Sequence, residues 1–159
     1  MRSRRACLVA LSVLVLLLAF FAAACGPTPD PPPPASPAAQ DQVARHNYVR
    51  GLNGLGALSV DANMQTNAQF HADRLAAGVT NCANLWHSSE LGAWYGGFSS
   101  GENVACVSGC PDDAQRTFDL WLNSPGHAAN IYNGRFGWIG VGVSCNGSVQ
   151  MVVVHYRAP

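Results

Sequence analysis

Two histidines and one glutamate are the residues of this chain best suited to chemistry. They are His87 in Leu85-Trp86-His87-Ser88, Glu102 in Gly101-Glu102-Asn103-Val104-Ala105, and His127 in Ser124-Pro125-Gly126-His127. Two imidazoles and a carboxylate, with a fourth position left to water, form a common zinc arrangement. The spacings of 15 and 25 residues are no metal signature by themselves. The chain carries no H-E-x-x-H, no pair of C-x-x-C motifs and no G-x-S-x-G elbow. Gly140-Val141-Gly142 lacks the third glycine of a dinucleotide loop and ends a strand-like run instead of opening a helix. Without a metal, the same trio would hydrogen-bond to one another and to backbone, locking a sheet to its helices.

Cys25 offers a different chemistry. Arg2, Arg4 and Arg5 precede an apolar run from Leu8 to Ala24, and Cys25 follows Ala22-Ala23-Ala24 directly. A basic start, an apolar stretch and small residues before a cut make a secretory signal peptide over residues 1–24. The cysteine after it is similar to a bacterial lipobox, whose thiol takes a diacylglycerol and becomes the mature N-terminus. Residues 25–39 then form an acylated cysteine and a tether with seven prolines after Cys25, extended as polyproline II. Two alternatives remain: an uncleaved anchor, for which the run is barely long enough, and simple cleavage with release as a secreted protein. All three place the following domain outside the cytoplasm.

Removal of residues 1–24 takes three arginines and leaves six against nine acids, a net charge of −3, with no lysine anywhere. That composition excludes a nucleic-acid-binding face and a polybasic lipid patch. Residues 40–159 make one domain of ordinary size. It holds Cys82, Cys106, Cys110 and Cys145, an even count that predicts two disulfides in an oxidising compartment, with three connectivities open.

The elements that must position these groups are legible in outline. Asp41 to Leu52 reads as a helix, and Asp61 caps a second that runs to about Ala77. Met64, Ala68, His71 and Leu75 recur at helical spacing, so His71 is a core histidine with a hydrogen-bond partner; His46 and His155 are also read as structural. Residues 80–100 form a long loop, a common place for function. Glu102 to Val107 is a strand. Pro111, Asp112 and Asp113 open a helix from Ala114 to Asn123, and Ser124-Pro125 starts another to Ile131. Trp138 to Cys145 and Val149 to Tyr156 are strands joined by an Asn146-Gly147 turn. Helices followed by strands, without βαβ alternation, predict an α+β fold.

Five stretches resemble the CAP superfamily, the SCP domain of cysteine-rich secretory proteins, antigen 5 and plant pathogenesis-related proteins. They are His46-Asn47-Tyr48-Val49-Arg50, Ala68-Gln69-Phe70-His71-Ala72, Gly101-Glu102-Asn103-Val104-Ala105, residues 121–131 and Ile139-Gly140-Val141-Gly142-Val143. The Pro-Gly-His detail is closest to the bacterial branch. The resemblance implies an α–β–α sandwich, a small antiparallel sheet with helices on both faces. It also implies a cleft of two histidines and two acids that binds a divalent metal in several members. His87, Glu102 and His127 match three of those four. The fourth acid falls where this chain has Asn123 and Ser124, so zinc or another divalent cation is expected to bind weakly. By likeness to the plant members, Cys82 pairs with Cys145. Cys106 and Cys110, with three residues between them, then pair locally.

Three functions follow as expectations. The first is an anchored binding module that presents its cleft and the Trp86–Phe98 loop to an envelope lipid, peptide or protein. The second is a metal-dependent hydrolase, with His87 and His127 as ligands and Glu102 as ligand or general base. The third is an inert envelope interaction domain.

Overall fold

The computed structural model describes residues 35–79, 82–111, 114–147 and 149–159. The signal segment 1–24, Cys25, the tether as far as residue 34, the helix-opening Asp112 and Asp113, and Ser148 lie outside the described residues. Among the described residues, no helix is long and apolar enough to cross a membrane.

Ser36 and Asp61 start the two long helices. The Ser36 side chain accepts from the Ala39 amide, and Pro37 takes the first helical position, where its missing N–H costs nothing. Helix α1 therefore runs Pro37–Leu52 and takes in three residues of the expected tether. Asp61 Oδ1 accepts from the Met64 amide at 2.9 Å and caps α2, Ala62–Gly78, as the sequence predicts. Between them lies a two-residue strand, β1, Ser59–Val60. The long loop expected over residues 80–100 contains a short helix, α3, Leu91–Tyr95. Strand β2 spans Ser100–Ser108, helix α4 Ala114–Leu122, helix α5 Pro125–Ile131, strand β3 Trp138–Asn146 and strand β4 Val149–Arg157.

The sheet order is β1-β3-β4-β2. β4 pairs antiparallel with both β2 and β3, and β1 joins the edge of β3 in parallel. Successive side chains of β4 alternate between two buried faces. Val152, Val154 and Tyr156 face one core with Phe118, Trp121 and Ile131 of α4 and α5. Met151 and Val153 face a second core with Ala68, Ala72 and Leu75 of α2. The result is the predicted α–β–α sandwich.

Helix α2 lies unusually close to β3. A Cβ on Gly140 would overlap the Met64 carbonyl, and one on Gly142 would overlap that of Ala68. Beyond its short pairing with β1, the outer edge of β3 is closed by two glutamine side chains of α2. Gln65 bonds both the amide and carbonyl of Val141, and Gln69 does the same for Val143, with Val143 N to Gln69 Oε1 at 3.1 Å. These carboxamides stand in for the missing strand and leave no bare edge there.

The disulfides correct the expected pairing. Cys82 joins Cys106, with Cα atoms 5.1 Å apart, and Cys110 joins Cys145, at 6.0 Å. β2 stays extended through Ser108, so Cys106 cannot meet Cys110 across a local turn. Cys106 instead packs with Cys82 against the α2-side core. Gly109 takes a positive φ of 100° just past the strand, where the chain leaves β2 for the Cys110–Cys145 link.

Candidate functional site

Glu102 is the centre of the site. It lies on β2 directly opposite His155 of β4, with its side chain only 2 % exposed. Its Oε1 accepts from His87 Nδ1 at 2.7 Å and from the Ser88 amide at 2.9 Å. Its Oε2 contacts His155 Nε2 at 2.9 Å and lies 3.9 Å from His71 Nε2. Burial opposes ionisation, but the His155, Ser88 and His87 bonds outweigh it, and the Glu102 pKa falls below the usual carboxylate value. The group is a buried, ionised acceptor with about three of its four acceptor sites already taken.

The histidines around it differ. His87 is 64 % exposed, so with Nδ1 on Glu102 its Nε2 faces solvent. His71 is fully buried, as the sequence predicts, and its Nε2 contacts the Trp86 carbonyl at 3.1 Å. Its Nδ1 has no hydrogen-bond partner among the described residues, and burial lowers its pKa against the pull of Glu102. His155 is also fully buried and reaches Tyr95 Oη at 2.7 Å through Nδ1. A hydrogen-bonded row therefore runs Tyr95–His155–Glu102–His87. Burial pushes the Tyr95 phenol up to about 12.

His127 sits in the first turn of α5, with its Nδ1 on Ser124 Oγ at 2.9 Å. Its carbonyl accepts from Asn103 Nδ2 at 3.1 Å, which ties the helix to β2 next to Glu102. Burial lowers its pKa, and the charge of His87 lowers it further, so the two imidazoles feel each other.

Of the three predicted residues, His87 and Glu102 are in direct contact, and His127 joins them through Asn103 and through charge. Sequence reasoning gave His71 and His155 structural roles and so missed their place beside Glu102. Only the β2–β4 register could have revealed His155, and no motif marks it. Of the loop aromatics, Tyr95 is buried, while Trp86 and Phe98 are 38 % and 51 % exposed.

Among the described residues, no group of three or more His, Cys, Asp and Glu is arranged to hold a metal ion. Two imidazole nitrogens of the expected trio nevertheless keep a lone pair to offer. On both His87 and His127 the Nδ1 atom is held by an oxygen, which leaves Nε2 as the free donor, the usual way a ligating imidazole is oriented.

Residues 43–156 match the cysteine-rich secretory protein family, CAP. No curated protein matches the sequence. Among solved structures, an outer surface protein from Borrelia burgdorferi is similar at 19 % identity and a TM-score of 0.61. That match covers 76 % of this chain and 92 % of the other. An extracellular SCP-domain protein from Bacillus anthracis is similar at 22 % identity and a TM-score of 0.59, over 80 % of this chain and 45 % of its own. NaASP2, solved with Zn2+, is similar at 15 % identity and a TM-score of 0.61, over 82 % of this chain and 83 % of its own. Each shares the sandwich fold. By the extent of the family match, this chain belongs to the cysteine-rich secretory protein (CAP) family.

Proposed function

We propose that this chain is an extracytoplasmic binding module of the cell envelope, held to the membrane by an acylated Cys25. In this reading His87 and His127 hold a divalent cation through Nε2. The observation that carries it is the Glu102–His87 contact: an ionised, buried carboxylate fixes which imidazole nitrogen faces out. Glu102 is then an orienting group behind His87. A cation there would supply positive charge and open positions for oxygen atoms of an envelope lipid, peptide or protein. The Trp86–Phe98 loop would add apolar contact area beside it.

A hydrolase has less support. Glu102 has little acceptor capacity left to act as a base, and Ser88 Oγ is bonded to Glu90 Oε2. The extracytoplasmic placement draws on the basic and apolar start of the chain. It also draws on relatives described as an outer surface protein and an extracellular protein.

Zinc titration by calorimetry tests the site. The protein is expected to bind one zinc, more weakly at acid pH because both imidazoles must be neutral, with burial and the charge of His87 keeping His127 neutral below its ordinary value. His87→Ala and His127→Ala should each abolish binding. Binding that survives both substitutions refutes the reading. For the anchor, the wild-type protein should carry diacylglycerol on Cys25 and Cys25→Ser should leave the signal segment uncleaved; processing unchanged by the substitution, or no acyl group on Cys25, would refute it.

A further inference from the structure

The start of α2, the α3–β2 loop and the end of β4 line an open cavity of about 300 Å³, on the far side of Tyr95 from Glu102 and His87 along the hydrogen-bonded row. That is the lower end of the size range of small-molecule sites. Trp94, Tyr95 and Phe98 supply apolar wall, and Asp61, Asn63 and Arg157 supply polar groups.

Arg157 is the unusual member. Its side chain is 18 % exposed, yet its guanidinium donates no hydrogen bond within the described residues. It is held in place by other means. Its charge centre lies 4.9 Å over the Phe98 ring and 5.9 Å from the Trp138 ring, and Asp61 stands off at 3.7 Å. Asp61 Oδ2 makes this long ion pair, while Asp61 Oδ1 caps α2 through the Met64 amide, so the pair offsets charge without taking a guanidinium hydrogen bond. A planar fork of five donors is thus fixed at a cavity wall with its hydrogen-bonding capacity unspent.

We infer that this cavity is a binding site for a small amphipathic carboxylate, an apolar or aromatic body carrying one carboxylate. The fork matches a carboxylate in two-point geometry, and the bond is charge-assisted. The aromatic wall takes the apolar body. The cavity is too small for a folded partner. The inference does not depend on a cation at His87 and His127.

Calorimetry on the full-length chain with 3-phenylpropionate, and with 3-phenylpropionamide as the uncharged control, tests it. The carboxylate is expected to bind one site, with the amide weaker by roughly tenfold or more, the worth of one charge-assisted hydrogen bond. Arg157→Gln should weaken the carboxylate by a similar factor, and Phe98→Ala should weaken both probes, by roughly threefold or more. Should Arg157→Gln fail to fold, the amide control and the exposed Phe98→Ala still decide. Equal binding of carboxylate and amide overturns the inference. So does undiminished binding to Arg157→Gln, which would place the probe elsewhere, such as the cavity that Tyr48 and Val49 of α1 line with Phe118 and Leu122 of α4. So does the absence of carboxylate binding up to about 10 mM, far weaker than a useful site.

Discussion

His46 is a buried histidine that the fold can hold only in its neutral form, and this makes stability pH-dependent in a calculable way. It is fully buried in α1. Its Nδ1 donates to the Gln42 carbonyl at 2.7 Å, and its Nε2 lies 2.7 Å from Tyr156 Oη. That hydroxyl also accepts from Asn103 Nδ2 at 3.1 Å, so its own proton goes to His46. Protonating Nε2 would aim two hydrogens at each other or leave the phenol proton without an acceptor. Burial, opposed by the Gln42 bond and reinforced by the charge of Arg50, lowers the His46 pKa to about 4. An unfolded chain titrates this group near 6.5.

A depressed histidine pKa means that the unfolded state takes the proton first. The stability from neutral His46 is complete above about pH 6.5 and is lost as pH falls toward about 4. At about 1.4 kcal/mol per pKa unit, the loss across that window is about 3 kcal/mol. Urea unfolding followed by tryptophan fluorescence at about pH 7 and about pH 4 would measure it, with a midpoint shift on the order of 1.5 M. His71 and His127 also have lowered values and add to the raw loss. The comparison that isolates His46 is His46→Gln, which is less stable at pH 7 but should lose about 3 kcal/mol less on acidification. If the two proteins lose stability in parallel, within about 1 kcal/mol, the argument for an obligately neutral His46 is wrong.

The other predictions concern packing and covalent links. Arg50 is fully buried and donates to the carbonyls of Gly56, Ile131, Asn133 and Phe136 at 2.8–3.1 Å. Arg50→Met should therefore cost roughly 3–5 kcal/mol in chemical denaturation, and Arg50→Lys should recover little, because one ammonium cannot span four acceptors. Gly140→Ala drives a Cβ into the Met64 backbone and should give insoluble or molten protein, whereas Gly51→Ala, with open space around it, should be neutral or stabilising by about 1 kcal/mol. Removing either disulfide by paired Cys→Ala substitution should cost about 3.5 kcal/mol in the chain-entropy model, and non-reducing peptide mapping should find Cys82 with Cys106 and Cys110 with Cys145. Asn103→Ala should strand the His127 carbonyl and leave the Asn130 amide only its bond to the Glu102 carbonyl, lowering stability by roughly 2 kcal/mol and weakening zinc binding while the Glu102 side chain is untouched.

Much of this architecture was legible because its signals are local. Asp61 as a cap and the helical stripe through His71 each depend on a few neighbouring residues and stand where expected; the β3–β4 hairpin is also there, but Asn146 is still in the strand, paired with Val149, and the turn begins at Gly147 with its positive φ. The start of α1 was obscured by the proline tract, which hides the cap at Ser36 and the helical use of Pro37. Disulfide pairing was not legible, because it depends on which strand ends meet across β4. The same gap concealed His155. Its place opposite Glu102 is a consequence of register, and register is a property of two strands. The glutamine ladder on β3 was hidden for a related reason. Gln65 and Gln69 look like ordinary polar helix residues until the bare strand edge beside them is known.

The register also explains why Glu102 and Asn103 act as a unit. Neighbours on a strand point to opposite faces. Glu102 therefore enters the α2 side, where it meets His87, His71 and His155. Asn103 enters the other side, where its amide holds the His127 carbonyl and Tyr156 Oη, and its oxygen accepts from Asn130 at 2.8 Å. One dipeptide thus anchors the loop that carries His87 on one face and the helix that carries His127 on the other. Residues 40 positions apart in the chain are positioned by two adjacent side chains. A loop insertion on either side leaves that dipeptide intact, whereas a one-residue slip of β2 would swap the two side chains and dismantle both anchors together.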